Sequence, residues 1–410
     1  MSVKTASSAP PMPLAPAPLQ RALWIARLYY FGFFAALGAI VPFFNVYLQQ
    51  RGMSGTEIGL VSALPPIIAL ISNPFWSGVA DRWQAHQRVL ATLAVVAGVA
   101  SLAFIWVSSF WAILAVLCVV AFFRGPISAI VDATVMSIVA RNPEVSYGRQ
   151  RVFGSLGWIV VSYGVGLLVT RYSINAIFIF HALMLSGMCG LLSLQLPVEK
   201  RTDVTISYTD GLRAMVRLPS YRALLVFMAC FGAAAAASGN FVALNILRLG
   251  GAAAFIGITN SLAAFLEVPV MFLGQSWFNR VSYRTTIGFC GVGFTLIWGG
   301  TAFATTPWHI MVSIIFTGFF FGLSWIAIVG FANDRAPDGL RASAQAVAQA
   351  AHGGLGYALG SFASGILWDW GSGMAVYLFA AIIVGFGTIV FMFGTSPRAT
   401  YFEREFVRKP

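Results

Sequence analysis

Apolar runs of about twenty residues recur along almost the whole chain and are separated only by short polar stretches. An α-helix of that length spans the hydrocarbon core of a bilayer, so each run is a candidate membrane-spanning helix. Only 9% of the residues are charged, whereas a soluble domain carries roughly 25%. The runs also lack the residue-by-residue alternation of membrane β-barrel strands. The sequence therefore predicts an all-α protein that is solvated by lipid.

Charged residues and breaks at glycine or proline divide the chain into twelve predicted helices. The longest polar stretch, residues 197–220, lies between the sixth and seventh of them and is interpreted as a cytoplasmic linker. The chain would then consist of a disordered cytoplasmic tail (1–20), an N-terminal six-helix bundle (21–196), the linker, a C-terminal six-helix bundle (221–394) and a cytoplasmic tail (395–410).

The basic residues predict the orientation in the membrane. With the N-terminus inside the cell, all but four of the 25 Lys and Arg residues fall on the cytoplasmic side; the exceptions are Arg124 at mid-membrane and, outside, Arg51, Arg171 and Arg248. The positive-inside rule therefore predicts a multi-pass protein of the inner (cytoplasmic) membrane with both termini in the cytoplasm. This dispersed pattern accounts for the formal charge of +12 without a nucleic-acid partner. We expect a monomer.

The turn after the second predicted helix carries a recognisable pattern. It reads Asn73-Pro-Phe-Trp-Ser-Gly78-Val-Ala-Asp81-Arg82 and resembles the loop signature of the major facilitator superfamily. The resemblance implies twelve transmembrane helices in two pseudo-symmetric six-helix bundles, with the substrate site between them near the midplane. It also implies that Asp81, supported by Arg82, gates the cytoplasmic side, because a carboxylate there can cap a helix N-terminus of the opposite half.

Three further stretches are similar to a narrower branch of that superfamily. Residues 147–157, Glu267-Val-Pro269 in the eighth predicted helix, and residues 336–345 before a Gly-rich helix resemble the phenylpropionate permease and nucleoside-symporter-like transporters. Members of that branch are proton-linked uptake carriers. The resemblance therefore implies a transporter, not an enzyme, that moves a small-molecule substrate together with a proton by alternating access.

Ionisable residues inside predicted spans are the strongest site candidates, because charge in a membrane is costly and usually faces a cavity. Glu267 lies near the middle of the eighth helix, where the membrane disfavours its charged form, and is the first candidate for carrying a proton. Asp132 and His352 are the next candidates, and Asp132 could equally be a gate residue. The alternative for Glu267 is a carboxylate that a neighbouring hydroxyl or arginine holds, or that only supports helix packing.

Arg124 precedes a Gly-Pro pair that predicts a break in the fourth helix. A fork-shaped cation at mid-membrane suits a carboxylate or phosphate ligand. The alternative is a permanent ion pair with Glu267 across the two halves. Asp132 lies about 12 Å farther along the same helix, which excludes a direct pair with it.

The first, fourth, seventh and tenth helices line the cavity in this family, so their polar and aromatic side chains are expected to bind substrate. Besides Arg124, the predicted contacts are Tyr29, Tyr30, Asn45, Asn240, Asn245, Phe320 and Trp325. The leading hypothesis is proton-coupled symport of an aromatic or other carboxylate. The alternatives are a sugar or nucleoside symporter and a drug-efflux antiporter. A membrane-embedded enzyme is a remote alternative, because the sequence shows no acidic or histidine cluster for catalysis. No metal or other cofactor is expected.

Overall fold

The computed structural model describes residues 16–83, 85–142, 144–196, 215–278, 280–336 and 340–396, and its regular elements in these ranges are helices. Nine helices of this part are long and apolar enough to cross a membrane. The last of them, Ser343–Gly394, has a kink at Ser372 that separates two legs. Counting these legs separately and adding Ala253–Phe278 and Tyr283–Thr301 gives the twelve predicted segments.

The first six segments form the N-terminal half, and four of them consist of more than one helical part. They are α1 (Pro16–Ile40 and Phe44–Gln50), α2 (Gly55–Trp83), α3 (His86–Ser101 with a 3-10 turn at Leu102–Ile105), α4 (Phe110–Arg124 and Ile127–Arg141), α5 (Tyr147–Arg171) and α6 (Ala176–Ala182, a π-helical Leu183–Cys189, and Gly190–Ser193).

The other six segments form the C-terminal half. They are α7 (Pro219–Arg248), α8 (Ala253–Phe278), α9 (Tyr283–Thr301), α10 (Pro307–Arg335), α11 (Arg341–Gln349, a π-helical Ala350–Gly356, and the first leg of Tyr357–Gly394) and α12, the second leg of Tyr357–Gly394.

The predicted tails and linker lie largely outside the described part of the chain. Helix α1 begins at Pro16, inside the segment predicted as a tail, and residues 1–15 lie outside the described ranges. Residues 197–214 of the predicted linker and residues 397–410 of the predicted C-terminal tail are also outside them.

Local sequence explains several helix ends. The Ser109 hydroxyl accepts a hydrogen bond from the Ala112 N–H at 3.4 Å, and Ser282 does the same for Thr285 at 3.2 Å, so serines cap the starts of α4 and α9. Pro126, which lacks an N–H, separates the two parts of α4. The break predicted at Gly125-Pro126 is therefore confirmed.

The two halves approach most closely at one end of the molecule. We call this end the distal face; the proximal face is where the described chain begins and ends. A Cβ placed on Gly59 would lie 2.5 Å from the Ser361 carbonyl oxygen, and one on Gly257 would lie 2.5 Å from the Ser162 carbonyl oxygen. Glycine thus brings α2 against α11, and α8 against α5, nearly to backbone contact. These contacts close the space between the halves on the distal side.

The charge asymmetry gives a testable orientation. A reporter enzyme that is active only in the cytoplasm, fused after Pro410 or within residues 200–218, is expected to be active at both positions. A periplasmic reporter at the same positions should be inactive. The opposite pattern at either position would contradict both the orientation and the twelve-segment topology.

Candidate functional site

A cavity of about 620 Å³ lies between the two halves. Helices α1 to α4 line it from one half, and α7 to α11 line it from the other. Among the described residues that line the cavity, Arg124 is the only one with a formal charge. The remaining surface is mostly apolar, with a few amide and hydroxyl groups, which is typical of a binding site for a small organic molecule.

Arg124 is the last residue of the first part of α4, immediately before the break at Gly125. Its side chain lines the cavity, and within the described part of the chain it has no hydrogen-bond or ion-pair partner. A guanidinium offers five N–H donors and keeps its charge, so leaving it without an acceptor in an apolar cavity is costly. The arrangement favours an anionic ligand that binds this fork.

The structure does not contain the ion pair between Arg124 and Glu267 that was considered as an alternative. Among the described residues Glu267 forms no ion pair, but the charge of Arg151 of α5, across the boundary between the halves, acts on it. Asp132 is held in its own half, because the hydroxyls of Tyr30 and Tyr147 both donate to its Oδ1, at 2.6 and 2.9 Å. Neither carboxylate is therefore paired with Arg124 in this structure.

Aromatic side chains form much of the cavity wall, mainly in the C-terminal half. Phe294 stacks on Trp298 with ring centroids 5.1 Å apart and packs against Phe231 at 4.9 Å, and all three rings line the cavity. From the N-terminal half, Phe44 and Phe104 add a pair at 5.2 Å. Most of these rings are fully buried, so they support the wall from behind. The partly exposed lining rings Phe44, Phe321 and Tyr357 offer faces and edges to a flat, apolar substrate.

A hydrogen-bond network closes the distal end of the cavity, and we call it the roof network. The Asn45 amide donates to the Asn240 carbonyl oxygen across the halves at 2.7 Å, and Ser62 donates to the Asn45 Oδ1 at 3.3 Å. The Asn240 amide donates to Ser361 at 2.8 Å and accepts from Tyr357 at 3.2 Å. Asn45 and Asn240 both line the cavity, and a hydrogen bond from the Asn45 side chain to the Asn240 backbone connects the two halves there.

Two predicted substrate contacts lie away from the cavity at other levels of the bundle. The Tyr29 ring is buried inside the N-terminal half, where its hydroxyl is 3.4 Å from Ser193 Oγ. Asn245 is also buried, and its Oδ1 accepts from Arg248 Nε at 3.2 Å. The expectation that these side chains contact substrate is corrected, because both point away from the cavity into contacts of their own half.

Three other predicted contacts lie outside the cavity wall. The Phe320 ring packs against Phe289 at 5.5 Å, and the Trp325 ring stacks behind the cavity-lining Phe321 at 5.4 Å. Tyr30 binds Asp132 near the proximal side and is not part of the cavity lining. Phe320 and Trp325 therefore support the cavity wall, and Tyr30 holds Asp132. This corrects the prediction that the three residues contact the substrate directly.

Arg151 is the functional candidate that sequence reasoning missed. Its guanidinium lies 4.0 Å from the ring centroid of Phe34 and 5.5 Å from that of Tyr30, and its charge interacts with that of Glu267. Glu267 is partly buried between α8 and α10; its Cγ would lie 3.5 Å from a Cβ on Gly322. In the sequence Arg151 was noted only as part of the stretch 147–157 that resembles related transporters, and nothing there indicated its effect on Glu267.

His352 lies in the π-helical part of α11, a geometry that often marks functional sites. Its ring centroid lies 5.0 Å from that of Phe231 and 5.4 Å from that of Trp325. Its Nε2 is buried without a hydrogen-bond partner among the described residues. The histidine therefore packs against the side of the aromatic wall that faces away from the cavity.

The predicted proximal gate lies at the end of α2. Arg82 is exposed there, and the side chain of Asp81 lies outside the described part of the chain, so the proximal gate stays a prediction.

Comparisons with known proteins agree with this architecture. The model of the MFS_1 like family matches residues 23–379. The maltose permease of Geobacillus stearothermophilus is 26% identical over 369 residues, 89% of this chain and 92% of that protein. A probable 3-phenylpropionic acid transporter of Escherichia coli (strain K12) is 28% identical over 318 residues, 74% of this chain and 80% of that protein. The crystal structure of the nucleoside transporter NupG superposes with a TM-score of 0.79 at 19% identity, covering 91% of this chain and 98% of that one.

Proposed function

Because this chain belongs to the MFS_1 like family of major facilitator transporters, we propose that it carries a small aromatic carboxylate across the membrane together with a proton. Family membership establishes a membrane transporter with the major facilitator fold, and the proposal adds the substrate class and the coupling ion. The observation that carries the proposal is Arg124, whose guanidinium has no partner among the described residues and faces a cavity in which the described lining has no other charge.

The substrate class follows from the two kinds of surface in the cavity. Arg124 suits a carboxylate, because its planar fork binds two oxygens at once. The partly exposed rings of Phe44, Phe321 and Tyr357 in the cavity lining suit an aromatic ring attached to that carboxylate. The relative named as a probable 3-phenylpropionic acid transporter supports the same combination. A cationic drug is disfavoured, because it would bring a like charge next to Arg124.

A sugar or nucleoside is the second candidate. Asn45, Asn240 and Asn260 line the cavity and could exchange hydrogen bonds with hydroxyl groups, and the maltose permease is among the relatives. A neutral substrate would leave the Arg124 charge without a counter-ion. Binding measurements with charged and neutral compounds therefore separate the two candidates.

The coupling proposal rests on the charges of Arg151 and Glu267, which belong to different halves. When Glu267 is ionised, attraction to Arg151 favours drawing the halves together near the proximal face. When Glu267 binds a proton, that attraction is lost and the proximal side opens more easily. The protonated, loaded carrier would then release substrate on the proximal side, and the deprotonated, empty carrier would return. This sequence of states is symport.

The proposed substrate class can be tested by thermal unfolding of the purified protein. 3-Phenylpropionate at about 100 times its dissociation constant should stabilise the folded state by about 2.7 kcal/mol, because it binds only that state. 3-Phenylpropionamide, which has nearly the same shape but no charge, should stabilise it far less. Stabilisation by maltose or xanthosine instead, or equal stabilisation by the acid and its amide, would contradict the proposal.

A further inference from the structure

Asp369, near the end of the first leg of Tyr357–Gly394, reaches across the boundary between the halves to the start of α2. Its Oδ1 accepts the Gly55 N–H at 2.6 Å, and its Oδ2 accepts the Thr56 N–H at 2.8 Å and the Thr56 hydroxyl at 2.7 Å. The two partners are separated by 313 residues in the sequence. Both carboxylate oxygens are thus used on one turn of a helix from the other half.

The first turn of α2 is a natural partner for a carboxylate. The first N–H groups of a helix have no acceptor within the helix, and its N-terminus carries a partial positive charge. Part of this need is met locally, because Ser54 and Glu57 form a capping box: the Glu57 N–H donates to Ser54 Oγ at 3.2 Å, and the Ser54 N–H donates to Glu57 Oε2 at 2.9 Å. Asp369 supplies the remaining acceptors from the opposite half.

Each partner of this contact is held firmly by its own half. On the Asp369 side, Arg248 of α7 donates from Nη1 to Ser372 Oγ at 2.5 Å, which ties down the turn that follows Asp369. On the α2 side, the capping box fixes the orientation of the Gly55 and Thr56 N–H groups. Because the two partners belong to different halves, a separation of the halves breaks these three hydrogen bonds.

The contact also lies where the backbones are closest. A Cβ on Gly365, one turn before Asp369, would lie 2.4 Å from the Gly55 carbonyl oxygen. Helices α2 and α11 are therefore in near backbone contact beside the carboxylate. Opening the cavity to the distal side requires these helices to move apart, and that movement breaks all three hydrogen bonds of Asp369.

We propose that Asp369 is a gating residue of the transport cycle, which holds the distal side closed by capping α2 from the opposite half. This inference needs only the family-level transport activity and not the proposed substrate or proton coupling. It places a charge-to-helix gate on the face opposite to Asp81. The hydrogen bonds between Asp369 and α2 break when the carrier opens to the distal side and form again when it closes.

The test measures access to the cavity from each side of the membrane. Ser238, which lines the cavity, is changed to cysteine after the native Cys118, Cys189, Cys230 and Cys290 are replaced by alanine. A membrane-impermeant maleimide is applied to right-side-out and to inverted vesicles. In Asp369→Asn the labelling rate from the distal side should rise about tenfold, because losing one charge-assisted hydrogen bond shifts an open-to-closed ratio by about that factor.

Two further variants make the result specific. Asp334→Asn makes the same acid-to-amide change at an exposed carboxylate near the proximal end of α10, and it should leave distal labelling unchanged. Thr56→Val removes only the hydroxyl bond and should give a smaller increase than Asp369→Asn, which keeps the test open if Asp369→Asn does not insert. Distal labelling at the parent rate in a folded Asp369→Asn or Thr56→Val, or an equal increase in Asp334→Asn, would overturn the proposal.

Discussion

Arg124→Met is expected to weaken the binding of 3-phenylpropionate by about thirtyfold or more. Hydrogen bonds to charged groups contribute about 1.5–3 kcal/mol each, and the methionine removes both the charge and the fork while keeping an apolar side chain of similar length. A loss of about 2 kcal/mol corresponds to the stated factor. Arg124→Lys keeps the charge but loses the bidentate geometry, so its affinity should fall between those of the parent protein and Arg124→Met.

The control for this prediction is Arg222→Met, which removes an exposed arginine near the proximal end of α7 that does not line the cavity. Its affinity for 3-phenylpropionate should stay within about twofold of the parent value, since surface substitutions away from a site have small effects. The dissociation constants are measured by titration of purified protein. Parent-like affinity in Arg124→Met would show that Arg124 does not bind the carboxylate.

Glu267→Gln is expected to abolish accumulation of substrate driven by a pH gradient while exchange of substrate across the membrane persists. Glutamine has the shape of the protonated carboxyl group but cannot release a proton, so the carrier loses the ionised state that returns it empty. Its charge interaction with Arg151 is lost at the same time. Counterflow and pH-driven uptake of 3-phenylpropionate are measured in proteoliposomes that contain each variant.

Asp334→Asn is the matched control, because Asp334 is an exposed carboxylate near the proximal end of α10. It should retain both counterflow and pH-driven accumulation. Accumulation that persists in Glu267→Gln would assign the proton to another group, with Asp132 and His352 next to be tested. Loss of counterflow together with accumulation would indicate that Glu267 is needed for the movement itself.

Several features of the fold were predictable from the sequence because they depend on composition and local stereochemistry. The scarcity of charge and the length of the apolar runs required membrane-spanning helices. Pro126 cannot donate a backbone hydrogen bond, so the break in α4 beside Arg124 could be located by residue type alone. Arg124 itself could be predicted to face a cavity, because a charge in the middle of an apolar span is too costly to leave in lipid.

The orientation of side chains around each helix was less predictable. The helices of Tyr29, Asn245, Phe320 and Trp325 line the cavity, yet each of these side chains contacts other residues of its own half. In a soluble helix the polar face indicates the solvent side. In a membrane the lipid side and the packed side are both apolar, so hydrophobic periodicity does not separate them.

The sequence by itself determined the helices, the break beside Arg124 and the residues whose charge must be sheltered from lipid. Only the tertiary structure decided which groups act on one another: the charge of Arg151, from the other half, acts on Glu267, and Asp369 caps a helix that begins 314 residues earlier. Electrostatic and hydrogen-bond partners are set by distances of a few ångströms in space. Contacts between the two halves therefore depend on how the halves dock, which local sequence patterns do not encode.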